Sequence, residues 1–204
     1  MFTHPASPLS RLPILALAAL AASQTVVVTV GPSIPSQAPE FVDQATFTSA
    51  ILNSTNVYRA EHNASDVRWN QTLQDYASDY LDSTCDFKHS GGPYGENLAI
   101  GCANATSCVE AWGDEGDDYN YRDGKFSEKT GHFTQLVWKD TTDVGCGQKL
   151  CGDDGWYLVC EYWPRGNVIG DFDQEVDKPE NTAVSVRPTC STLVIMAVAF
   201  WILS

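Results

Sequence analysis

The chain has 204 residues, 43% of them hydrophobic and 19% charged. That is enough apolar material for one folded domain and excludes an intrinsically disordered polymer. Twelve Lys and Arg stand against 26 Asp and Glu, for a formal net charge of −14, and such acidity argues against nucleic-acid binding and against a polybasic membrane patch.

Residues 1–23 read as a signal peptide. Arg11 precedes an apolar run over residues 12–22, shorter than the ~20 residues a membrane span needs. Ala21 and Ser23 supply small residues at −3 and −1 for a cut after Ser23. Residues 24–45 open with a β-prone run and continue with Pro32, Pro35 and Pro39, the composition of a linker. A domain is expected over residues 46–178. Phe47, Ile51 and Tyr58 mark a first helix; Leu73, Tyr76, Ala77, Tyr80 and Leu81 follow the amphipathic spacing of a second. Residues 106–115 form a third candidate, with Val109 and Trp112 as its apolar face. Beyond Thr142 the pattern turns β-like: residues 144–147 and 156–163 read as strands around the turn-prone residues 152–155. Helices first and strands later predict an α+β fold with a mainly antiparallel sheet.

Residues 179–204 repeat the logic of an address. Asn181, Thr182 and Ala183 precede a polar spacer and an apolar run over residues 193–203. Small residues, spacer and tail have the order of a glycosylphosphatidylinositol attachment signal, with Asn181 as the expected site and Ser185 as the alternative. Loss of both ends removes Arg11 and Arg187 and no acid, leaving 10 basic and 26 acidic residues and a net charge of −16.

Seven cysteines lie between Cys85 and Cys190, none in a Cys-x-x-Cys pair, so zinc-ribbon and thioredoxin readings fail. Cys190 leaves with the tail, and the six that remain fit full disulfide pairing, with fifteen connectivities open. Sequons at Asn53, Asn63, Asn70 and Asn104 add to an oxidising, secretory setting. The protein is expected outside the cell, glycosylated, and held at the cell surface or wall by its lipid anchor, its one attachment to membrane.

Several segments carry a resemblance. Residues 131–138 read Gly-His-Phe-Thr-Gln-Leu-Val-Trp, and residues 157–167 read Tyr-Leu-Val-Cys-Glu-Tyr-Trp-Pro-Arg-Gly-Asn. Upstream stand Cys85-Asp86-Phe87-Lys88-His89-Ser90, then Gly95-Glu96-Asn97-Leu98-Ala99, then Trp112 with Glu115 three residues on. Together these resemble the signatures of the CAP superfamily: cysteine-rich secretory proteins, antigen 5 and class-one pathogenesis-related proteins. The likeness covers residues 46–175 and is nearest to fungal secreted members that bind sterols and fatty acids. One departure lies in the first helix, where Thr55 replaces the usual His of His-Asn-x-x-Arg. The resemblance implies an α-β-α sandwich, linked by disulfides Cys85–Cys151 and Cys146–Cys160, with Cys102–Cys108 closing a local loop.

The resemblance also places His89, Glu96, Glu115 and His132 in one cleft. Two imidazoles and two carboxylates can hold zinc or another divalent cation; the alternative is a hydrogen-bonded network that ties the motifs together. No His-Glu-x-x-His helix is present and no Gly-x-Ser-x-Gly elbow, so the main expectation is a binding protein and not an enzyme. His62 reads as an ordinary surface residue. Residues 119–126, Tyr-Asn-Tyr-Arg-Asp-Gly-Lys-Phe, carry Tyr119, Tyr121 and Phe126 in the spacing that resembles the family's sterol-binding loop. Sterols or fatty acids are therefore the expected partners. The competing readings are a metal-assisted hydrolase acting at the cleft and a non-catalytic cell-wall or host-interaction protein. Inward packing of the loop aromatics is the structural alternative to a lipid site.

Overall fold

A computed structural model describes residues 36–179. The signal peptide, the first part of the linker and the anchor signal, including Asn181 and Cys190, lie outside the described residues. Helix α1 (Pro39–Val42) leads directly into α2 (Gln44–Glu61). The end of the Pro-rich stretch is thus integral to the domain: Phe41 is buried and its ring stacks on Trp156 at 4.9 Å.

Each long helix begins on a polar cap that satisfies backbone N–H groups the first turn leaves free. Asp43 Oδ1 accepts from Thr46 N at 2.8 Å at the start of α2. Asn70 Oδ1 accepts from Thr72 N at 3.0 Å at the start of α3 (Gln71–Ser83). Asn104 forms a capping box with Ser107 at the start of α4 (Ala105–Asp114). Two of the four sequon asparagines, Asn70 and Asn104, therefore hold helix starts. Asn53 and Asn63 are exposed.

Strands β1 (Arg68–Trp69), β2 (Gly95–Ile100), β3 (Asp143–Leu150) and β4 (Trp156–Trp163) form one sheet in the order β1-β3-β4-β2. The β1–β3 pair is parallel; the other two are antiparallel. Helix α3 covers one face, where Ala77 and Leu81 meet Leu98, Tyr157 and Val159. Two glycines on β3 allow this close approach: a side chain at Gly145 or Gly147 would run into the α3 backbone at Asn70, Gln74 and Ser78. The other face packs on α2, α4 and the short α5 (Gly131–Leu136) through Phe47, Ile51, Trp112, Phe133, Leu158 and Tyr162. A mostly antiparallel sheet between helical layers is the α+β sandwich expected from the sequence. A last short helix, α6 (Phe172–Glu175), packs Phe172 against Trp138 at 5.1 Å.

Disulfides join Cys85–Cys151, Cys102–Cys108 and Cys146–Cys160. The first ties the segment carrying His89 to the far end of β3. The third crosslinks the β3–β4 ladder at a directly opposed pair.

Candidate functional site

Arg59 organises the neighbourhood of the site from inside. It is fully buried on α2 and donates to Ser65 O (2.7 Å), Leu136 O (3.1 Å), Trp138 O (2.8 Å) and Thr141 O (2.7 Å). A guanidinium has five donors in a rigid fork, and here four of them meet carbonyls. Burial lowers its pKa to about 10, which still leaves it charged at neutral pH. The segment just after α5 is pinned as a result, and α5 carries His132.

The two signature histidines are each fastened to a glutamate. His89 Nδ1 lies 2.5 Å from Glu96 Oε1, and Ser90 N donates to both oxygens of the same carboxylate at 3.0 and 3.1 Å. His132 Nδ1 lies 2.6 Å from Glu115 Oε1, while Glu115 Oε2 accepts from His132 N (3.0 Å) and Phe133 N (3.2 Å). A carboxylate only accepts, so each Nδ1 carries the proton. Glu115 is thereby both the partner of His132 and an anion on the first turn of α5. Asn97 Nδ2 donates to His132 O at 3.0 Å and connects β2 to the same turn.

This geometry corrects the metal expectation. Among the described residues no group of three or more His, Cys, Asp or Glu side chains could hold a metal ion. Zinc or another divalent cation bound by His89, Glu96, Glu115 and His132 is overturned. The carboxylates that would have completed a ligand set are taken up by imidazole and backbone N–H groups. His89, Glu96 and His132 do line one cavity of about 430 Å³, with Phe126 and Asn167; Glu115 stands behind His132.

Ser90 N donates to Glu96, and Ser90 Oγ accepts from Gly92 N at 3.2 Å.

The aromatic loop is divided by the fold. Tyr119 is buried and meets Tyr121 edge-on at 4.8 Å and Phe133 at 5.7 Å. Tyr121 is half-buried, and burial pushes its phenol up to about 12, with Tyr119 and Asp117 adding to the effect. Phe126 remains 46% exposed. Tyr119 and Phe126 line one cavity of about 550 Å³, whereas Tyr121 lines another beside His62. The ring of Phe126 lies over Gly131 and also lines the His89–His132 cavity. One side chain thus separates the polar cleft from the loop cavity.

Two residues escaped the sequence reading. His62, expected at the surface, is only 5% exposed. Its Nδ1 lies 2.7 Å from Asp177 O, and its ring stacks on Tyr121 at 6.2 Å and meets Phe133 edge-on at 5.0 Å. It is covered because the chain returns from α6 across the end of α2, a contact no local pattern encodes. Glu161, inside the β4 signature, is 1% exposed, opposite Glu96 on β2 and Gly145 on β3. Burial, and then the Glu96 carboxylate, push its pKa up to about 9, so it is a neutral acid at pH 7.

Residues 52–162 match the family described as CAP, the cysteine-rich secretory protein family. The chain belongs to that family. Protein PRY2 of Saccharomyces cerevisiae is 47% identical over 135 residues, 64% of this chain and 41% of its own length. The protein Repressed by EFG1 protein 1 of Candida albicans is 48% identical over 131 residues, 61% of this chain and 48% of its own. The chain thus spans less than half the length of each of these two relatives. Among solved structures, hookworm platelet inhibitor superposes with a TM-score of 0.55 at 19% identity, covering 68% of this chain and 79% of its own. Such a distant likeness shows the CAP fold alone.

Proposed function

We propose that this CAP domain is an exported, non-catalytic protein that binds sterols and other small hydrophobic lipids at the loop over residues 119–126. The observation that carries the reading is the cavity of about 550 Å³ lined by this loop, where Tyr119 and the half-exposed Phe126 stand among Asp118, Asn120, Asp123, Lys125 and Lys129. Its size lies within the ~300–1,000 Å³ of small-molecule sites. An exposed phenylalanine at a cavity mouth also has apolar area to gain from a ligand. Two further Candida albicans relatives, 42% identical each, are named secreted protein RBT4 and secreted protein PRY1. Those names support export through the signal peptide over residues 1–23. Anchorage at Asn181 is part of the same proposal, and phospholipase C should release the protein from intact cells.

The cleft holding His89 and His132 serves the architecture in this reading. Both carboxylates tie backbone N–H groups, so the cluster joins the His89 segment, β2, α4 and α5. Cholesterol binding by the purified protein tests the assignment. Phe126→Ala should weaken it about tenfold or more, since burying one such ring is worth ~1.5–3 kcal/mol. The double variant His89→Ala with His132→Ala should stay within a few-fold of the parent protein. A loss confined to the histidine variant would move the site to the cleft, and unchanged affinity in Phe126→Ala would move it away from both cavities that this ring lines.

A further inference from the structure

Thr55 carries a side-chain oxygen that the fold does not use. The residue is fully buried on α2, and its Oγ1 has no hydrogen-bond partner among the described residues. A buried hydroxyl that bonds nothing weakens a fold, and such a group calls for a reason. Thr55 is also the departure from His-Asn-x-x-Arg, and that departure completes the sequon Asn53-Ser54-Thr55. The hydroxyl at the third position of a sequon is required when sugar is transferred to the asparagine, a step that acts on unfolded chain. A group of no use to the folded domain thus has a use before folding.

The outer face of α2 is a second, independent observation. Thr46, Ser49, Asn53, Val57 and Ala60 are exposed and recur at the spacing of one helical face. Residues 44–60 hold one charged side chain, Arg59, and it is buried. In a chain of net charge −14, this face lacks the charge that solvent-facing helices ordinarily carry. Val57, one turn beyond Asn53, is 52% exposed. Asn70 is the contrast. Its Nδ2 donates to Asp143 Oδ1 at 3.3 Å, and Asp143 is buried, so a sugar on that nitrogen would stand against the fold.

We propose that Asn53 carries an N-linked oligosaccharide, attached before the domain folds, and that this sugar covers the uncharged outer face of α2 over Val57. This rests on the export reading above and adds to it which sequon is used and what its glycan does. The donor is an oligosaccharide held on a lipid diphosphate. Asn53 Nδ2 bonds to the anomeric carbon of the first sugar, and the bond from that carbon to the diphosphate oxygen breaks. The lipid diphosphate leaves with the electron pair, and Nδ2 gives up one proton. Folding then separates the two sequon residues. Two positions on a helix stand about 200° apart around its axis, so Thr55 turns into the core while Asn53 stays in water. Sugar rings present C–H groups on their faces and hydroxyls at their rims, so they shield the Val57 methyls and leave the helix hydrated.

The test expresses the full chain in a eukaryotic secretory host and reads glycan occupancy of each sequon peptide by mass spectrometry. Asn53 should be occupied. Asn53 bare beside any other occupied sequon would overturn the proposal and leave the export reading intact. A chain that is not exported, or one with no sequon occupied, would refute that reading and the proposal with it. Thr55→Val should lose this one glycan, and Thr55→Ser should keep it. Once all sugars are removed enzymatically, the melting temperature of Thr55→Val should equal or exceed that of the parent, because the variant loses an unpaired hydroxyl at nearly constant shape. A lower value would show that the hydroxyl serves the fold and would overturn its assignment to the sequon. Asn53→Gln removes the same glycan from an exposed position, so the reading of the outer face does not depend on Thr55→Val folding. Val57→Ser should shorten retention on a hydrophobic column in the Asn53→Gln protein and leave the glycosylated parent unchanged. Equal shortening in both would show that the sugar does not cover Val57.

Discussion

Removing Cys85–Cys151 by the double change Cys85→Ala with Cys151→Ala tests where the stability of this domain resides. The bridge closes a loop of 66 residues, against 14 for Cys146–Cys160 and 6 for Cys102–Cys108. Loop-closure entropy grows with the logarithm of that length, which gives about 4 kcal/mol for the first bridge, about 3 for the second and about 2 for the third. Cys85 is exposed and Cys151 buried at 8% exposure, so replacing the pair by Ala removes one buried sulfur, and most of the loss should come from the freed unfolded chain. Urea denaturation of the purified variants reads the difference. The Cys85/Cys151 variant should lose about 4 kcal/mol, a large share of the ~5–15 kcal/mol that holds a typical domain. Its m-value should rise as the unfolded state expands. The Cys102/Cys108 variant should lose less, even though Cys108 is fully buried. A loss below about 1 kcal/mol for the long bridge, or an equal loss for both pairs, would refute the loop-length argument.

Arg59→Met should leave four carbonyl groups without their guanidinium and cost about 3–5 kcal/mol, seen as a lower urea midpoint or loss of secreted protein; Arg59→Lys should recover only part. Glu161→Gln should change how stability depends on pH. Below about pH 4.5, its ordinary value, Glu161 holds its proton in both folded and unfolded chains. Between there and about pH 9 only the folded chain holds it, so its contribution to stability falls as pH rises. The amide has no such linkage, so its melting temperature should decline less between pH 5 and 9. Parallel curves for the two proteins would mean that Glu161 is already ionised in the fold.

Much of the architecture is written in local pattern. Leu73, Ala77 and Leu81 recur at the spacing of one helical face, and α3 buries those three. The alternation after Thr142 becomes the β3–β4 hairpin, because period-2 patterning and a turn-forming segment between the runs are both local properties. Strand β2 is different. Gly95-Glu96-Asn97-Leu98-Ala99 drew notice as a motif, not as a strand, because burial on both faces of the sheet removes the alternation that marks one.

The character of the site rested on three-dimensional placement. The residue types of His89, Glu96, Glu115 and His132 are compatible with a metal centre or with a hydrogen-bonded network. Only the fold brings Ser90 N onto Glu96, and His132 N with Phe133 N onto Glu115, and so spends the carboxylates on backbone. Likewise Tyr119, Tyr121 and Phe126 lie close together in the sequence, yet the packing of Phe133 and His62 draws the two tyrosines inward and leaves Phe126 at the surface. Sequence alone determines which groups are available and which helical or strand face they share, since those depend on neighbours a few positions away. Which hydrogen bonds they make, and which remain unmade, as at Thr55, depends on segments separated by tens of residues, and only the tertiary structure decides it.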